Sequence, residues 1–173
     1  MYYPQFYDPQ FNLLYVFVAP LGEEKKSILS RMSSSSSSDT GYTNVVLWDI
    51  PKKAKKNLFS SQELSKDEHI TAILFETGYN AEKNERIFND NAYVFNNRPL
   101  TPREAVNKML VATQNRSNKT TTLWFGDKFG NNKFKIATFS ETASWHLDVH
   151  NGDIRIIEPL NTDIKVLELR WYL

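Results

Sequence analysis

The segment His146-Leu147-Asp148-Val149-His150, with Asp153 close behind, is the one place in the chain where imidazoles and carboxylates crowd together. Those are the side chains that hold a divalent metal and let it activate water for hydrolysis. Spacing argues against such a site. On a strand, residues four apart are separated by about 13 Å, whereas Zn–N bonds are about 2 Å long, so His146 and His150 cannot share an ion. Helical spacing would bring them together, but Asn151-Gly152 is a hairpin signal and the neighbouring residues are β-branched. Asp148 with either histidine would need further ligands from other strands. The simpler expectation is an ion pair between Asp148 and Arg155 across the hairpin. His69 reads as a structural residue at a strand edge. No metal or cofactor is assigned, and a metal-dependent hydrolase ranks last among the functions considered.

Other catalytic patterns are missing from the sequence. There is no glycine-rich phosphate loop, no nucleophile elbow and no His-Glu-x-x-His. The 20 Asp and Glu residues offer no privileged pair for general acid and base work. Zero cysteines exclude disulfides, thiol nucleophiles and Cys-based zinc sites, which suits a reducing compartment.

Two segments could support binding. Lys52, Lys53, Lys55 and Lys56 form the densest positive patch, just after Pro51. They could contact phosphates of a nucleic acid, act as a short nuclear-localisation signal, or simply solvate a loop. Sheet aromatics interleaved with cations extend the nucleic-acid reading: Trp124, Phe129 and Trp171 with Lys128, Lys133, Lys135 and Arg170. The competing reading places those rings in the core, and a net charge of +1 supports it. The second segment is the N-terminus, where Tyr2, Tyr3, Phe6, Tyr7 and Phe11 stand with two prolines. It reads as an extended arm whose rings dock on the body of the protein or on another copy, giving a self-association site.

The elements that position these residues follow from periodicity. Strands are expected at 11–19, 43–50, 69–77 and 91–96, with a short helical turn at 61–68 where capping-box spacing recurs. Helices are expected at 23–32 and 81–88. The serine-rich stretch 33–41 is expected to be a flexible loop. Thr101-Pro102-Arg103-Glu104 has the form of a helix start, and Ala105, Val106, Met109 and Leu110 make one apolar stripe, so the main helix is expected from Pro102 to about Gln114. From Thr120 the pattern has period two: strands at 120–125, 133–140, 145–150, 153–158 and 164–172 form an antiparallel meander. A two-residue type I′ turn at Asn151-Gly152 would set Asp148 opposite Arg155 and Leu147 opposite Ile156. Trp145, Leu147, Val149, Ile154 and Ile156 then face the core, with His146, Asp148, His150, Asp153 and Arg155 outside.

Asn97-Arg98-Pro99, after a strand and before a helix carrying Ala105-Val106 and then a hairpin, resembles rhabdovirus matrix proteins over about a fifth of the chain. The resemblance implies a viral structural protein and assigns no residue a role. The fold expected is a single α+β domain over 12–173. Its antiparallel β-sheet, the C-terminal meander, is packed by one main helix and preceded by the aromatic N-terminal arm at 1–11. The function expected is non-enzymatic: a binding or scaffold protein, matrix-like and self-associating. Single-stranded nucleic-acid binding is the alternative. The expected partners are another copy or another protein, with RNA or DNA second. The longest apolar stretch, 11–19, is less than half of the roughly 20 residues a spanning helix needs. No transmembrane segment is therefore expected, and the location expected is intracellular, cytoplasmic or nuclear.

Overall fold

Apolar residues on both faces of a strand require a layer on each side of it, and this chain contains several such strands. The computed structural model describes residues 2–20, 41–90, 92–94, 99–148 and 151–170, and every regular element among them is a β-strand. A four-stranded antiparallel sheet has the order β1-β2-β3-β4: β1 (Tyr2–Asp8), β2 (Leu13–Val18), β3 (Asn44–Asp49) and β4 (Ala54–Asn57). The six-stranded sheet has the order β10-β9-β8-β5-β6-β7. Its strands are β5 (Glu68–Asn80), β6 (Glu85–Phe88), β7 (Ala92–Val94), β8 (Met109–Asn115), β9 (Thr120–Gly126) and β10 (Phe134–Ser140). The three-stranded sheet is β11 (Ser144–Asp148), β12 (Asp153–Pro159) and β13 (Ile164–Arg170), in chain order.

The six-stranded sheet is the middle layer. Its Ile73, Phe75, Met109, Val111 and Trp124 join Leu13, Tyr15, Phe17, Val45 and Leu47 of the four-stranded sheet in a first core. Its Leu74, Leu110, Ala112 and Leu123 join Ile154 and Ile156 of the three-stranded sheet in a second. Each fully buried aliphatic or phenyl side chain contributes about 1.5–3 kcal/mol.

This arrangement corrects the α+β expectation: the described residues contain no helix, and no main helix packs on the sheet. Met109 to Thr113 are buried without a break, because β8 lies between two cores and alternate residues serve each. Of the expected stripe Ala105, Val106, Met109 and Leu110, only the last two fall in this run, and they point into opposite cores. The proposed cap is occupied otherwise: Arg103 forks onto Glu76 at 2.7 and 2.8 Å, and the Val106 amide donates to the same carboxylate. Residues 81–88 form a turn and then β6, again not a helix. The N-terminal arm is β1, an edge strand that pairs with β2 and tolerates Pro4 beside a bulge. The expected helix at 23–32 and the serine-rich stretch to residue 40 lie outside the described residues.

The C-terminal strands occur where expected but do not form one meander. β9 and β10 belong to the middle sheet, and β11 to β13 form the outer one. The hairpin register also differs by two residues: Trp145 pairs with Ile156 and Asp148 with Asp153. Here the Gly152 amide donates to the Asp148 carbonyl across a longer turn, and Gly152 has positive φ. Because the shift is even, the faces survive it, and Leu147, Ile154 and Ile156 still point to the core. Val149 and His150 lie outside the described residues.

Candidate interaction face

In β3 the alternation sends Val45 and Leu47 into the first core and turns Val46 and Trp48 outward. Strand pairing then builds a row across the four-stranded sheet: Tyr7 is opposite Leu14, Leu14 opposite Trp48, and Trp48 opposite Lys55. The neighbouring row is Pro4, Val16, Val46 and Asn57. Tyr7 and Trp48 are 50% and 40% exposed, while Leu14, Val16 and Val46 are half-buried and belong to neither core. The sheet thus presents an apolar outer face carrying two partly exposed aromatic rings.

The lysine cluster borders this face at the β3–β4 turn. All four side chains are exposed. Lys52 lies 3.5 Å from Asp49 and over the Phe129 ring, and Lys56 Nζ donates to Asn131 Oδ1 at 2.6 Å. The positive φ of Lys53 tightens the turn. Lys55 stands beside Trp48 on the outer face.

The five N-terminal aromatics do not form one contact site. Phe6 is turned inward onto Phe17 and Phe75, with ring centroids 5.7 and 6.4 Å away. Phe11 packs on Phe129 at 5.0 Å. Tyr7 faces out, and its hydroxyl donates to Asn12. Tyr2 and Tyr3 lie on β1, with their side chains outside the described residues.

The second aromatic set is also largely internal. Trp124 is buried, its indole N–H donating to Thr113 Oγ1 at 3.0 Å, and Lys135 lies 4.9 Å from its ring centre. Lys128 is fully buried, paired to Asp8 at 3.0 Å and donating to Gln10 Oε1 at 2.8 Å, with the Phe11 and Phe75 rings beside it. Burial pulls its ammonium below the ordinary lysine value, against the hydrogen bond and charge of Asp8 and the charge of Glu76. The Tyr15 hydroxyl donates to the Lys128 carbonyl at 2.7 Å, and burial with the charges of Asp8 and Asp127 pushes that phenol far above its usual range. Arg170 pairs with Asp153, and Trp171 lies outside the described residues.

At the histidine-rich hairpin, Asp148 pairs with Arg155 at 2.9 Å, as expected, although His146 is the residue directly opposite that arginine. Burial pushes the Asp148 carboxyl up, but bonds from the Asn151 amide and side chain and from Arg155 outweigh it, so the group sits below its ordinary value. Among the described residues no three His, Asp or Glu side chains cluster as a metal site would require. The His69 ring contacts the Asp67 carbonyl, and its Cβ lies where a side chain on Gly41 would go.

Sequence reasoning passed over Trp48 and the two buried charge centres, Lys128 with Asp8 and Glu76 with Arg103. Trp48 was legible, since Val45 to Trp48 is an apolar run that cannot point one way on a strand. The charge centres join residues far apart in sequence, Asp8 with Lys128 and Glu76 with Arg103, and no local pattern marks such pairs. No helix among the described residues is long and apolar enough to cross a membrane, which says nothing about strands. Compared with known proteins, the chain matches no family model, no curated protein and no solved structure.

Proposed function

We propose that this chain is a non-enzymatic binding or scaffold protein that self-associates through the outer face of its four-stranded sheet. The observation that carries the reading is the apolar outer face itself, with Trp48 and Tyr7 in the row nearest the β3–β4 turn. Exposed contiguous apolar surface of this kind marks interaction sites. Two copies of the face stacked about 10 Å apart would form a sandwich. A two-fold axis across the strands keeps the lysine turns at opposite ends, away from each other. Of the N-terminal aromatics Tyr7 is the contact residue, together with Trp48.

The test is molar mass by light scattering across a concentration series, for the native chain and for Trp48→Glu. The mass should rise with concentration, and the variant should need at least ten-fold more protein for the same rise. A variant indistinguishable from the native chain removes the sheet face from the reading.

One arrangement favours a second reading, single-stranded nucleic-acid binding. Two partly exposed rings in line with Lys55, beside Lys52, Lys53 and Lys56, resemble a stacking platform with a phosphate contact. Binding of a single-stranded oligonucleotide should then weaken steeply with salt and on changing the four lysines to glutamine. A flat titration at low salt ends that reading.

A further inference from the structure

The sheet edges differ in how they are protected from pairing with another chain. β1 carries Pro4 and a bulge, and β10 a bulge between Lys135 and Ala137. β4 is four residues long with two lysines, and β7 is three residues long. β11 is five residues long, with Ser144, His146 and Asp148 alternating along it. Short length, proline, bulges and charge are the devices that blunt an edge.

β13 lacks most of these devices. It runs seven residues without proline, and its register with β12 is unshifted from Asp153↔Arg170 to Pro159↔Ile164. Ile164, Val166 and Leu167 are 56%, 48% and 43% exposed. Its charges are directed at its own sheet: Glu168 to Arg155 at 3.2 Å, Arg170 to Asp153 at 3.0 Å, and Lys165 standing opposite Glu158. No described strand pairs with its free edge. Between β10 and the inward face of β12 and β13 lies a crevice of about 450 Å³ whose mixed lining includes Lys119, Thr138, Phe139, Ile156, Lys165 and Leu167.

We infer that β13 pairs antiparallel with β13 of a second copy, joining two three-stranded sheets into one of six strands. The register that pairs all seven residues places Leu167 on the two-fold axis. Ile164 then lies opposite Arg170, Lys165 opposite Leu169, and Val166 opposite Glu168, so no like charges meet and each apolar residue off the axis gains a neighbour. The same register brings the second copy's Leu167 and Leu169, which share the inward face, over the mouth of the crevice. This contact is separate from the outer face of the four-stranded sheet. The two together would give the chain two distinct self-contacts, which is what extended assembly requires.

The native chain contains no cysteine, so one introduced thiol reports on this geometry directly. Opposed residues of an antiparallel pair lie about 4.5–5.5 Å apart at Cα, within the range of about 4.4–6.8 Å that a disulfide spans. Under mild oxidation Leu167→Cys should form covalent dimer at least ten-fold faster than Leu160→Cys, whose side chain is more exposed but lies beyond the strand. Adding Trp48→Glu to Leu167→Cys should leave that rate unchanged, which separates failure of this contact from failure of the sheet face. Equal rates for the two cysteine variants overturn the inference, as does loss of cross-linking in the Trp48→Glu background.

Discussion

The two outer layers rest on opposite faces of the same middle sheet, yet they are held to it by different means. The four-stranded layer contributes stacked and edge-on rings, with Phe6 and Tyr15 against Phe75 and Phe17 against Phe6. It is also pinned by the Lys128–Asp8 pair, which is closed to solvent and links the first strand to the β9–β10 loop. The three-stranded layer contributes few fully buried side chains, chiefly Ile154 and Ile156. Its ion pairs lie at the surface, where Arg155 bridges Glu168 opposite it and Asp148 diagonally, and Asp153 meets Arg170. Exposed pairs of this kind add little. The first layer should therefore open only with the whole molecule, while the second can loosen locally. A layer of lower local stability is also the one bearing the unprotected edge.

This contrast can be broken most forcefully at the buried pair. Lys128→Ala strands the Asp8 carboxylate in the interior and should cost about 3–5 kcal/mol. Urea unfolding should show the loss, with the double change Asp8→Leu and Lys128→Met recovering part of it. An effect below about 1 kcal/mol, the range of surface pairs, would erase the distinction between the layers.

Ile154→Ala, in the second core, should cost about 2–4 kcal/mol as a cavity. Its more telling readout is amide exchange: protection should fall in β11 to β13 while β8 and β9 keep theirs. Uniform loss would mean that the outer layer does not open by itself.

A smaller effect is expected at Gly130, whose φ of +73° is left-handed and whose missing Cβ would meet Leu58 and Leu47 at 2.9 and 3.0 Å. Gly130→Ala should cost about 1–2 kcal/mol from backbone strain alone. Thermal unfolding checks it, and a neutral result would show that the β9–β10 loop shifts without loosening the first core.

The smallest expected effect concerns pH. The Asp148 carboxyl is held below its ordinary value of 3.8, so its stabilisation of the hairpin is complete above that value and fades as pH falls through the lower folded one. Exchange of the Asn151 amide should accelerate across that acid window relative to the pH trend of other turn amides. Asp148→Asn should remove the additional dependence.

The structure also changes which experiment probes self-association. Deleting residues 1–10 would be informative for a loose arm, but it removes Phe6 and Asp8 from the first core and so tests folding instead. Single outward residues, Trp48 and Tyr7, are the usable probes. Their outward direction follows from the strand period. Their lack of a covering layer among the described residues was visible only once the sheets were assembled.

Local chemistry in the sequence determined the strands with clear alternation or turn signals, among them Leu13–Val18, Asn44–Asp49 in its apolar part, and the five strands from Thr120 onward. It also determined the faces of the β11–β12 hairpin, because an even shift in register leaves side-chain direction unchanged. What the tertiary structure decided is which apolar runs serve two cores at once. Met109-Leu110-Val111-Ala112 has the composition of a helix stripe or of a doubly buried strand, and only packing layers on both sides selects the strand. The buried charges were settled at the same level. Lys128 and Asp8 are polar residues of ordinary appearance along the chain, and folding alone brings them within 3.0 Å of each other away from water.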